Sequence, residues 1–359
     1  MDHIAFYISG HGYGHSTRAV EIINALSKKS PHLHCHIKTD APKWLFELNV
    51  RGNYSFHPIS IDIGAVQQTS FHIDKRETLK RWAALLRRRK SIVQAEAAFV
   101  KSYGARLILG DITPFAFDIA AEAGVPSVAI ANFTWDWIFS HYIDEIPEYS
   151  DVVQGIQSSY RKATWLLRLP FRGDLSIFPQ VTDIPLIARK AKSSEQEVWK
   201  KLELNRERRP NLVLVAFRAS DLAEVQLTRA FSNEAFLFIT LGLSDSYQNN
   251  LNIPPDMIRF TELLNACDLV ISKPGYGLVS EVLANKTPLL YTSRADFAEY
   301  EKLVAGLKEY AVSEFIPRSE FLKGNWQPYL EQLMKSDKRW KPIPVNGAEV
   351  AAEEILGLL

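Results

Sequence analysis

The chain has very little cysteine, almost no surplus charge and no long apolar run. Cys35 and Cys267 are its only cysteines, so neither a disulfide framework nor a cysteine-based zinc site is expected. The formal net charge is +1, and no global field therefore points to nucleic acid as a partner. No stretch approaches the roughly 18 apolar residues that span a bilayer. The acidic start MDHIAFYISG is unlike a signal peptide, so a cytoplasmic protein is expected.

Histidine is also missing from most of the chain. All nine histidines lie between His3 and His141, so a histidine that does acid–base chemistry must come from the N-terminal half. The length of 359 residues is sufficient for two domains. The content of 47% apolar and 23% charged residues is typical of a soluble globular protein.

Short apolar runs alternate with helical patterns, which predicts βα units and parallel sheets. The first unit contains the strands IAFYIS, HCHIKT, RLILGD and PSVAIAN, and the helix after the first strand is expected to be capped by Ser16 or Thr17. Residues 169–190 hold three prolines without periodicity and are predicted to connect two domains. The strands NLVLVAF, AFLFITLG, CDLVIS and TPLLYTS then indicate a second doubly wound unit. Two such units leave a cleft where their strands end.

The segment GHGYGH, residues 10–15, follows the first predicted strand. Its glycines, Gly12 and Gly14 included, allow a ligand to approach the backbone, and the N–H groups of the next helix favour an anion. A dinucleotide fingerprint requires G-x-G-x-x-G, and the spacing here is one residue short, although Asp40 lies where the acid of that motif belongs. A nicotinamide or flavin site is therefore not favoured.

The same segment contains His11 and His15, two titratable rings where a dinucleotide loop has small residues. A histidine at the mouth of a cleft can accept a proton from a hydroxyl near neutral pH. One of the two rings is expected to cap the helix or pack beneath it. We assign the role of base to His15 and keep His11 as the second candidate.

A second glycine turn, SKPGYG, follows the strand CDLVIS in the C-terminal half. The amides of Gly275 and Gly277 at a helix start, with Lys273 beside them, suit a diphosphate. Glu281 is expected in the first turn of that helix, where a carboxylate can accept both hydroxyls of a ribose. Simple complementarity between this acid and the helix dipole is the alternative.

Charged residues also follow the strand TPLLYTS, at its predicted cleft end. They are Arg294, Asp296 and Glu299, and acids in this position can bind sugar hydroxyls. Charges of a solvated loop are the alternative explanation.

Polar and aromatic residues end the two inner strands of the first unit. Asp111 ends RLILG and is a candidate to orient the base or the acceptor, with capping of the next helix as the alternative. Asn132, Trp135 and Asp136 follow PSVAIA and are candidates for the acceptor site, because tryptophan faces stack on sugar rings.

Two further patterns have plainer interpretations. His32, His34 and His36 alternate along a predicted strand, but they are spaced along an edge rather than convergent, so no metal site is predicted. The run LKRWAALLRRRK, residues 79–90, is taken as a solvated basic helix. Contact of this helix with an anionic membrane is the alternative.

The segment SKPGYGLVSEVLANKTPLL resembles the donor-binding segment of GT-B glycosyltransferases, and GHGYGHSTR resembles their acceptor-side first loop. The glycosyltransferase-like N-terminal half of plant-type arabinokinases is more similar still, through GHGYGHSTRAVEI, DIGAVQQ, GDITPFAFDIAAEAGVPSVAIANFTWDWIF, LLRLPF, TDIPLIARKAKSSEQEV, the SKPGYG segment and NGAEVAAEEIL. These stretches cover nearly the whole chain in order. The kinase half of those proteins is absent from this sequence, so no sugar kinase is implied.

The resemblance implies an α/β, GT-B-like fold with two Rossmann-type doubly wound domains facing a central cleft. Residues 1–175 would form the acceptor-side domain, residues 176–338 the nucleotide-sugar domain, and residues 339–359 a helix that returns to the first domain. The co-substrate would be a nucleotide sugar, taken as UDP-linked, with no other cofactor and no obligatory metal.

The resemblance also implies roles for individual residues. Gly275, Tyr276 and Gly277 would meet the diphosphate, Glu281 the ribose, and Asp296 with Glu299 the transferred sugar. The chain departs from the pattern after NLVLVAF, where relatives have a glycine-rich turn and this sequence has Phe217-Arg218-Ala219-Ser220. Either Arg218 replaces the lost amides with charge, or donor binding is weakened.

The predicted function is glycosyl transfer from a nucleotide diphosphate sugar to the hydroxyl of a small-molecule or lipid-linked acceptor. We expect inversion of configuration, with His15 as the base. One alternative is a sugar-nucleotide 2-epimerase, which would need more acid–base groups around the donor than a histidine-free C-terminal half supplies. The other alternative is a non-catalytic sugar-nucleotide-binding or regulatory module, favoured by the altered turn at residues 217–220.

Overall fold

The computed structural model describes residues 2–69, 71–204, 210–294 and 296–359. Two α/β units follow one another along the chain. The elements of the first are β1 (His3–Ile8), α1 (Tyr13–Lys29), β2 (His34–Thr39), α2 (Trp44–Asn49), β3 (Asn53–Pro58), β4 (Gln67–Thr69), β5 (His72–Ile73), α3 (Lys75–Arg87), α4 (Arg89–Ser102), β6 (Ala105–Asp111), α5 (Phe115–Ala123), β7 (Ser127–Ala131), α6 (Trp135–Ile143), a 3-10 turn (Pro147–Tyr149), α7 (Ser150–Tyr160), β8 (Trp165–Arg168) and β9 (Val181–Asp183).

The second unit begins after this strand. Its elements are α8 (Glu195–Lys201), β10 (Asn211–Val215), α9 (Ala219–Leu222), α10 (Leu227–Ala230), β11 (Phe236–Leu241), β12 (Asn250–Ile253), α11 (Phe260–Ala266), β13 (Leu269–Ser272), α12 (Tyr276–Asn285), β14 (Leu289–Tyr291), α13 (Glu299–Tyr310), β15 (Ser313–Phe315), α14 (Arg318–Leu322) and α15 (Gln327–Met334). A last helix, α16 (Gly347–Leu356), follows. Among the described residues, no helix combines the length and the apolar character needed to cross a bilayer.

The first unit is built on a seven-stranded parallel sheet with the order β3-β2-β1-β6-β7-β8-β9. Its inner strands are nearly continuous apolar runs because helices cover both faces. In β1, Ile4 and Phe6 enter one buried cluster, while Ala5 and Tyr7 enter the cluster on the other face. The prediction of a parallel α/β unit is therefore confirmed here.

The second unit has a six-stranded parallel sheet with the order β12-β11-β10-β13-β14-β15. Its four inner strands are those that the apolar runs predicted. The two edge strands have the sequences NLNI and SEF, which lack a predictive apolar run because an edge strand is covered on fewer sides.

The connection predicted for residues 169–190 is in part a strand. Val181–Asp183 forms β9 at the edge of the first sheet, where Asp183 receives two hydrogen bonds from Arg168 of β8. The first sheet therefore extends past residue 175. At the other end of the chain, α16 packs against α1, and Lys29 and Glu353 form an ion pair between these helices at 2.7 Å.

The start of α1 differs from the prediction. Neither Ser16 nor Thr17 caps this helix, which begins at Tyr13 after Gly12. Gly12 has a φ of 79°, so a left-handed residue turns the chain directly into the helix. Ser16 is buried inside the helix as a result, and His15 lies in its first turn.

The basic run at residues 79–90 is divided between α3 and α4. Leu79 and Trp82 are fully buried, and the indole of Trp82 donates to the carbonyl of Gly64 at 2.9 Å. The apolar face of this run is therefore part of the core.

The prediction of separated histidines on the second strand is wrong. His34 and His36 converge with His3 and His57 because neighbouring parallel strands place these side chains on one face. Nδ1 of His3 lies 3.0 Å from Nε2 of His36, and Nδ1 of His36 lies 3.2 Å from Nε2 of His57. His32 lies outside the strand and is exposed.

This histidine cluster (His3, His34, His36 and His57) disfavours positive charge. Burial, the three other histidines and Lys38 lower the pKa of His36 to about 4. Burial also lowers the pKa values of His34 and His57. Within the described residues, no group of three or more His, Cys, Asp or Glu side chains has an arrangement that would hold a metal ion.

We expect the free energy of unfolding to fall as the pH decreases from about 6.5, the ordinary histidine pKa, toward about 4. In this interval the unfolded chain binds protons that the folded cluster excludes, so acid favours unfolding by about 1.4 kcal/mol per pH unit for each excluded proton. Urea unfolding near neutral pH and at mildly acidic pH would measure this slope. His36→Gln should reduce it and the exposed control His32→Gln should not; equal slopes in all three proteins would contradict the assignment.

Candidate active site

The glycine loop after β1 carries the first group of candidate residues to the cleft edge of the sheet. The register of β1 and β6 pairs Ile8 with Asp111, so the loop begins beside the end of β6. Since α1 begins at Tyr13, His15 projects from its first turn and reaches Asp111. Both side chains are buried, with exposed fractions of 7% and 0% for the two residues.

His15 and Asp111 form a direct pair. Nδ1 of His15 lies 2.8 Å from Oδ1 of Asp111. Burial would raise the pKa of Asp111, but the charge of Arg18 and the contact with His15 outweigh it and hold this pKa below its usual range. A carboxylate accepts only, so it favours the tautomer of His15 that carries its proton on Nδ1. The lone pair of Nε2 is then free to accept a proton.

Arg18 holds this carboxylate, and the sequence analysis missed it. Its Nε donates to Oδ2 of Asp111 at 2.6 Å and its Nη2 to Oδ1 at 2.5 Å. Its Nη1 donates to Oδ1 of Asn132 at 2.9 Å, and the amide of Asn132 donates to Glu299 at 2.7 Å. The available signal was an arginine three residues after His15, among the positions of α1 that face the core.

The second glycine turn lies opposite the first. Gly275 precedes α12, and a β-carbon on Gly277 would lie 3.4 Å from the α-carbon of Gly14. The N-terminal ends of α1 and α12 therefore approach each other closely at Gly14 and Gly277. Tyr276 is buried, and its ring lies 5.3 Å from Cζ of Arg18.

Three cations act electrostatically on His11. Lys273, Arg218 and Arg294 each act on this ring, and after burial their charges contribute to a His11 pKa well below the ordinary value. Burial, Arg294 and Arg218 also lower the pKa of Lys273 to about 8, against the opposing influence of Asp221. Lys273 pairs with Asp221 and Arg294 with Glu299, and Arg218 adds a third cation; such a group of cations suits a multiply charged anion.

His11 is fixed as a neutral ring. It packs between Trp135, edge-on at 5.2 Å, and Phe297, stacked at 6.1 Å, and its Nδ1 accepts from the backbone N–H of Ala65 at 3.4 Å. Its Nε2–H is then a donor, so His11 is not placed beside a carboxylate as His15 is.

The acids predicted to bind the donor are all engaged in ion pairs. Glu281 lies beyond the first turn of α12, contrary to the prediction, and pairs with Nε of Arg189 at 2.6 Å. Glu299 is buried, and its Oε2 forms an ion pair with Nη1 of Arg294 at 3.3 Å. Asp296 is exposed and pairs with Lys75 of the first unit at 3.2 Å.

The structure does not bring Asn132, Trp135 and Asp136 to an open surface. All three are buried, because α6 follows β7 directly into the core. The indole N–H of Trp135 donates to Asp62 at 2.8 Å, so the ring supports His11 and exposes no face for a sugar.

Asp62 is a buried carboxylate that the sequence analysis did not select. It also accepts the N–H of Gly64 at 2.7 Å, and burial raises its pKa to about 7. Its position in the DIGAVQQ segment was the available signal.

The comparisons with known proteins identify the family and the fold. Residues 2–300 match the model of the family described as Glycosyl transferase family 1. The chain is 29% identical over 361 residues to L-arabinokinase of Arabidopsis thaliana. The aligned region covers 97% of this chain and 33% of that protein. The chain thus spans about a third of the length of this relative.

Solved glycosyltransferase structures share the fold. Phytolacca americana UGT2, complexed with UDP-2fluoro-glucose and pterostilbene, has a TM-score of 0.64 at 12% identity and covers 99% of this chain and 94% of its own. Arabidopsis thaliana UGT89C1, complexed with quercetin, has a TM-score of 0.64 at 14% identity, with coverages of 98% and 92%. The chain therefore belongs to glycosyl transferase family 1, as a glycosyltransferase with the GT-B fold.

Proposed function

We propose that this glycosyltransferase moves a sugar from a UDP-linked donor to an acceptor hydroxyl in one displacement, with inversion, with His15 as the base and without a metal ion. The observation that carries the proposal is the buried pair of His15 and Asp111, whose atoms lie 2.8 Å apart. His11 of the same loop is under the influence of Lys273, Arg218 and Arg294.

In the proposed step, the acceptor oxygen attacks the anomeric carbon while its proton passes to Nε2 of His15. The bond from this carbon to the diphosphate oxygen breaks, and its electron pair leaves with the diphosphate. Asp111 orients the ring and stabilises the imidazolium that forms. A single displacement of this kind inverts the anomeric centre.

The leaving diphosphate would be stabilised by protein cations. Lys273, Arg218 and Arg294 each lower the pKa of His11, and the two arginines also lower that of Lys273, which supports a shared role for the three cations. Fixed positive groups at the site where charge develops lower the barrier, and here they would take the role that a divalent ion has in other transferases. The bound UDP-2fluoro-glucose of the Phytolacca americana enzyme supports the choice of donor class.

The turn at residues 217–220 favours the alternative in which charged side chains replace the glycine amides that the relatives have at this position. Phe217 is buried, and Arg218 precedes the short helix α9, whose Asp221 pairs with Lys273 at 3.3 Å. The turn therefore sets the side chains of two cations instead of presenting glycine N–H groups.

A binding module without turnover is the second candidate function. The ion pair of Glu281 with Arg189 favours it, because this carboxylate is already engaged where the resemblance implies contact with a ribose. Hydrolysis of UDP-glucose in the absence of acceptor distinguishes the two candidate functions. Slow release of UDP supports the transferase, whereas binding of UDP-glucose without release of UDP supports the module.

We expect His15→Ala to lower kcat for transfer or donor hydrolysis by about 10²–10⁴-fold, the usual contribution of a general base. The Kd for UDP, measured by titration calorimetry, should change less than about twofold, because the cations are untouched. His141→Ala is the matched control, since this exposed histidine lies on α6. Equal loss of UDP affinity and turnover in His15→Ala would refute the role of base.

Thermal unfolding with UDP, GDP, dTDP and ADP should show stabilisation by UDP above the others. Saturation at about 100 times Kd adds about 2.7 kcal/mol, which is a rise of several degrees in Tm. Lys273→Met should abolish most of this rise, and the exposed control Lys302→Met should keep it. No shift with any nucleotide would exclude the proposed donor site.

The affinity for UDP should fall as the pH rises through about 8, the pKa of Lys273, because the neutral amine no longer attracts the diphosphate. Calorimetry between pH 7 and pH 9 should show up to about a tenfold rise in Kd per pH unit above this value. In Lys273→Arg the charge persists, so the dependence should flatten. A Kd that is independent of pH in the unsubstituted protein would remove Lys273 from the diphosphate site.

A further inference from the structure

We propose that Tyr13 and Trp44 form a saccharide-binding platform that holds the acceptor beside His15; this inference rests on the transferase function proposed above. Tyr13 begins α1 and Trp44 begins α2, at the cleft end of the first sheet. Their exposed fractions are 48% and 47%, whereas Trp135, the aromatic residue that the sequence suggested, has 0%.

The two rings form one surface. Their centroids lie 5.9 Å apart with an angle of 74° between the planes, so each ring braces the other edge-on. Leu48, one turn further along α2, is 59% exposed and extends the apolar surface. Large side chains that remain exposed together on a folded protein indicate a binding surface rather than a packing accident.

Polar groups border this platform. Asp40 follows β2 and is exposed, and its Oδ2 accepts a hydrogen bond from the exposed hydroxyl of Ser60 at 3.0 Å. A β-carbon on Gly10 would lie 1.8 Å from Oδ1 of Asp40, so this carboxylate lies directly against the loop that carries Tyr13. The free lone pairs of this carboxylate and hydroxyl, next to aromatic rings, can accept hydrogen bonds from vicinal sugar hydroxyls.

The platform is continuous with the proposed donor site through Arg218. The guanidinium carbon of Arg218 lies 5.7 Å from the ring centroid of Tyr13, and the charge of Arg218 also acts on Lys273 and His11. One side chain therefore contacts the platform and contributes to the cation group. His15 lies two residues after Tyr13 in the same helical turn.

The chemistry of the platform favours a sugar ring over a flat aromatic acceptor. One face of a pyranose presents C–H groups, which pack on an aromatic ring while the hydroxyls at the ring edge reach polar neighbours. A flat apolar molecule is instead held by a concave pocket that covers most of its surface. Tyr13 and Trp44 are half exposed and bordered by Asp40 and Ser60, so the platform suits the first ligand class.

Saturation-transfer NMR on the full chain with UDP present tests this directly. The probes are methyl β-glucopyranoside, methyl β-galactopyranoside, cellobiose and lactose, with quercetin as the flat aromatic comparison. At least one saccharide should show saturation at its C–H protons, and Trp44→Ala should reduce this signal at least fivefold. Asp40→Asn should also weaken it, and the control Tyr103→Ala, a tyrosine that is 45% exposed and packs against His36 of the histidine cluster, should leave it unchanged.

The outcomes separate the platform from the proposed function. Saccharide binding that depends on Trp44, whether or not UDP-glucose is turned over, supports the platform. Absence of binding by all four saccharides, binding that Trp44→Ala leaves intact, or quercetin binding alone would overturn it. Failure of UDP to bind or of the donor to hydrolyse would count against the transferase mechanism and not against the platform, because the NMR signal requires no catalysis.

Discussion

The buried ion pair of Asp111 and Arg18 is the interaction on which the rest of the site depends. An isolated carboxylate at a fully buried position would be protonated or very costly, and removal of either partner would leave an unpaired charge in the core. With Arg18 donating two hydrogen bonds, Asp111 stays ionised and still contacts His15. Arg18 thus acts as a positioning residue for His15, the proposed base.

The same ion pair also connects the two units of the chain. Arg18 donates to Asn132, whose amide donates to Glu299 at the start of α13. This chain of hydrogen bonds is buried, so each member depends on its neighbours for a partner. The geometry of the His15–Asp111 pair is therefore linked to the position of the unit that carries Lys273 and Arg294.

One short loop gives its two histidines opposite surroundings. His15 faces a carboxylate, whereas His11 faces three cations and two aromatic rings. The local sequence does not distinguish the two histidines, because each of them follows a glycine. Their separation into a candidate base and a neutral hydrogen-bond donor comes from β6 and from the second unit, which are distant in sequence.

The sequence by itself determined the two parallel sheets, the inner strands and the glycine turns at both helix starts, because period, apolar runs and turn residues act over a few neighbouring positions. It also offered Asp111 as a candidate to orient the base or the acceptor, whereas the contact of Asp111 with His15 is known only from the structure. Only the tertiary structure decided that Trp135 is buried, that Glu281 pairs with Arg189 and that Tyr13 and Trp44 remain exposed next to each other. Exposure and ion pairing depend on contacts between residues that are distant in sequence, and a local sequence pattern does not predict which residues form these contacts.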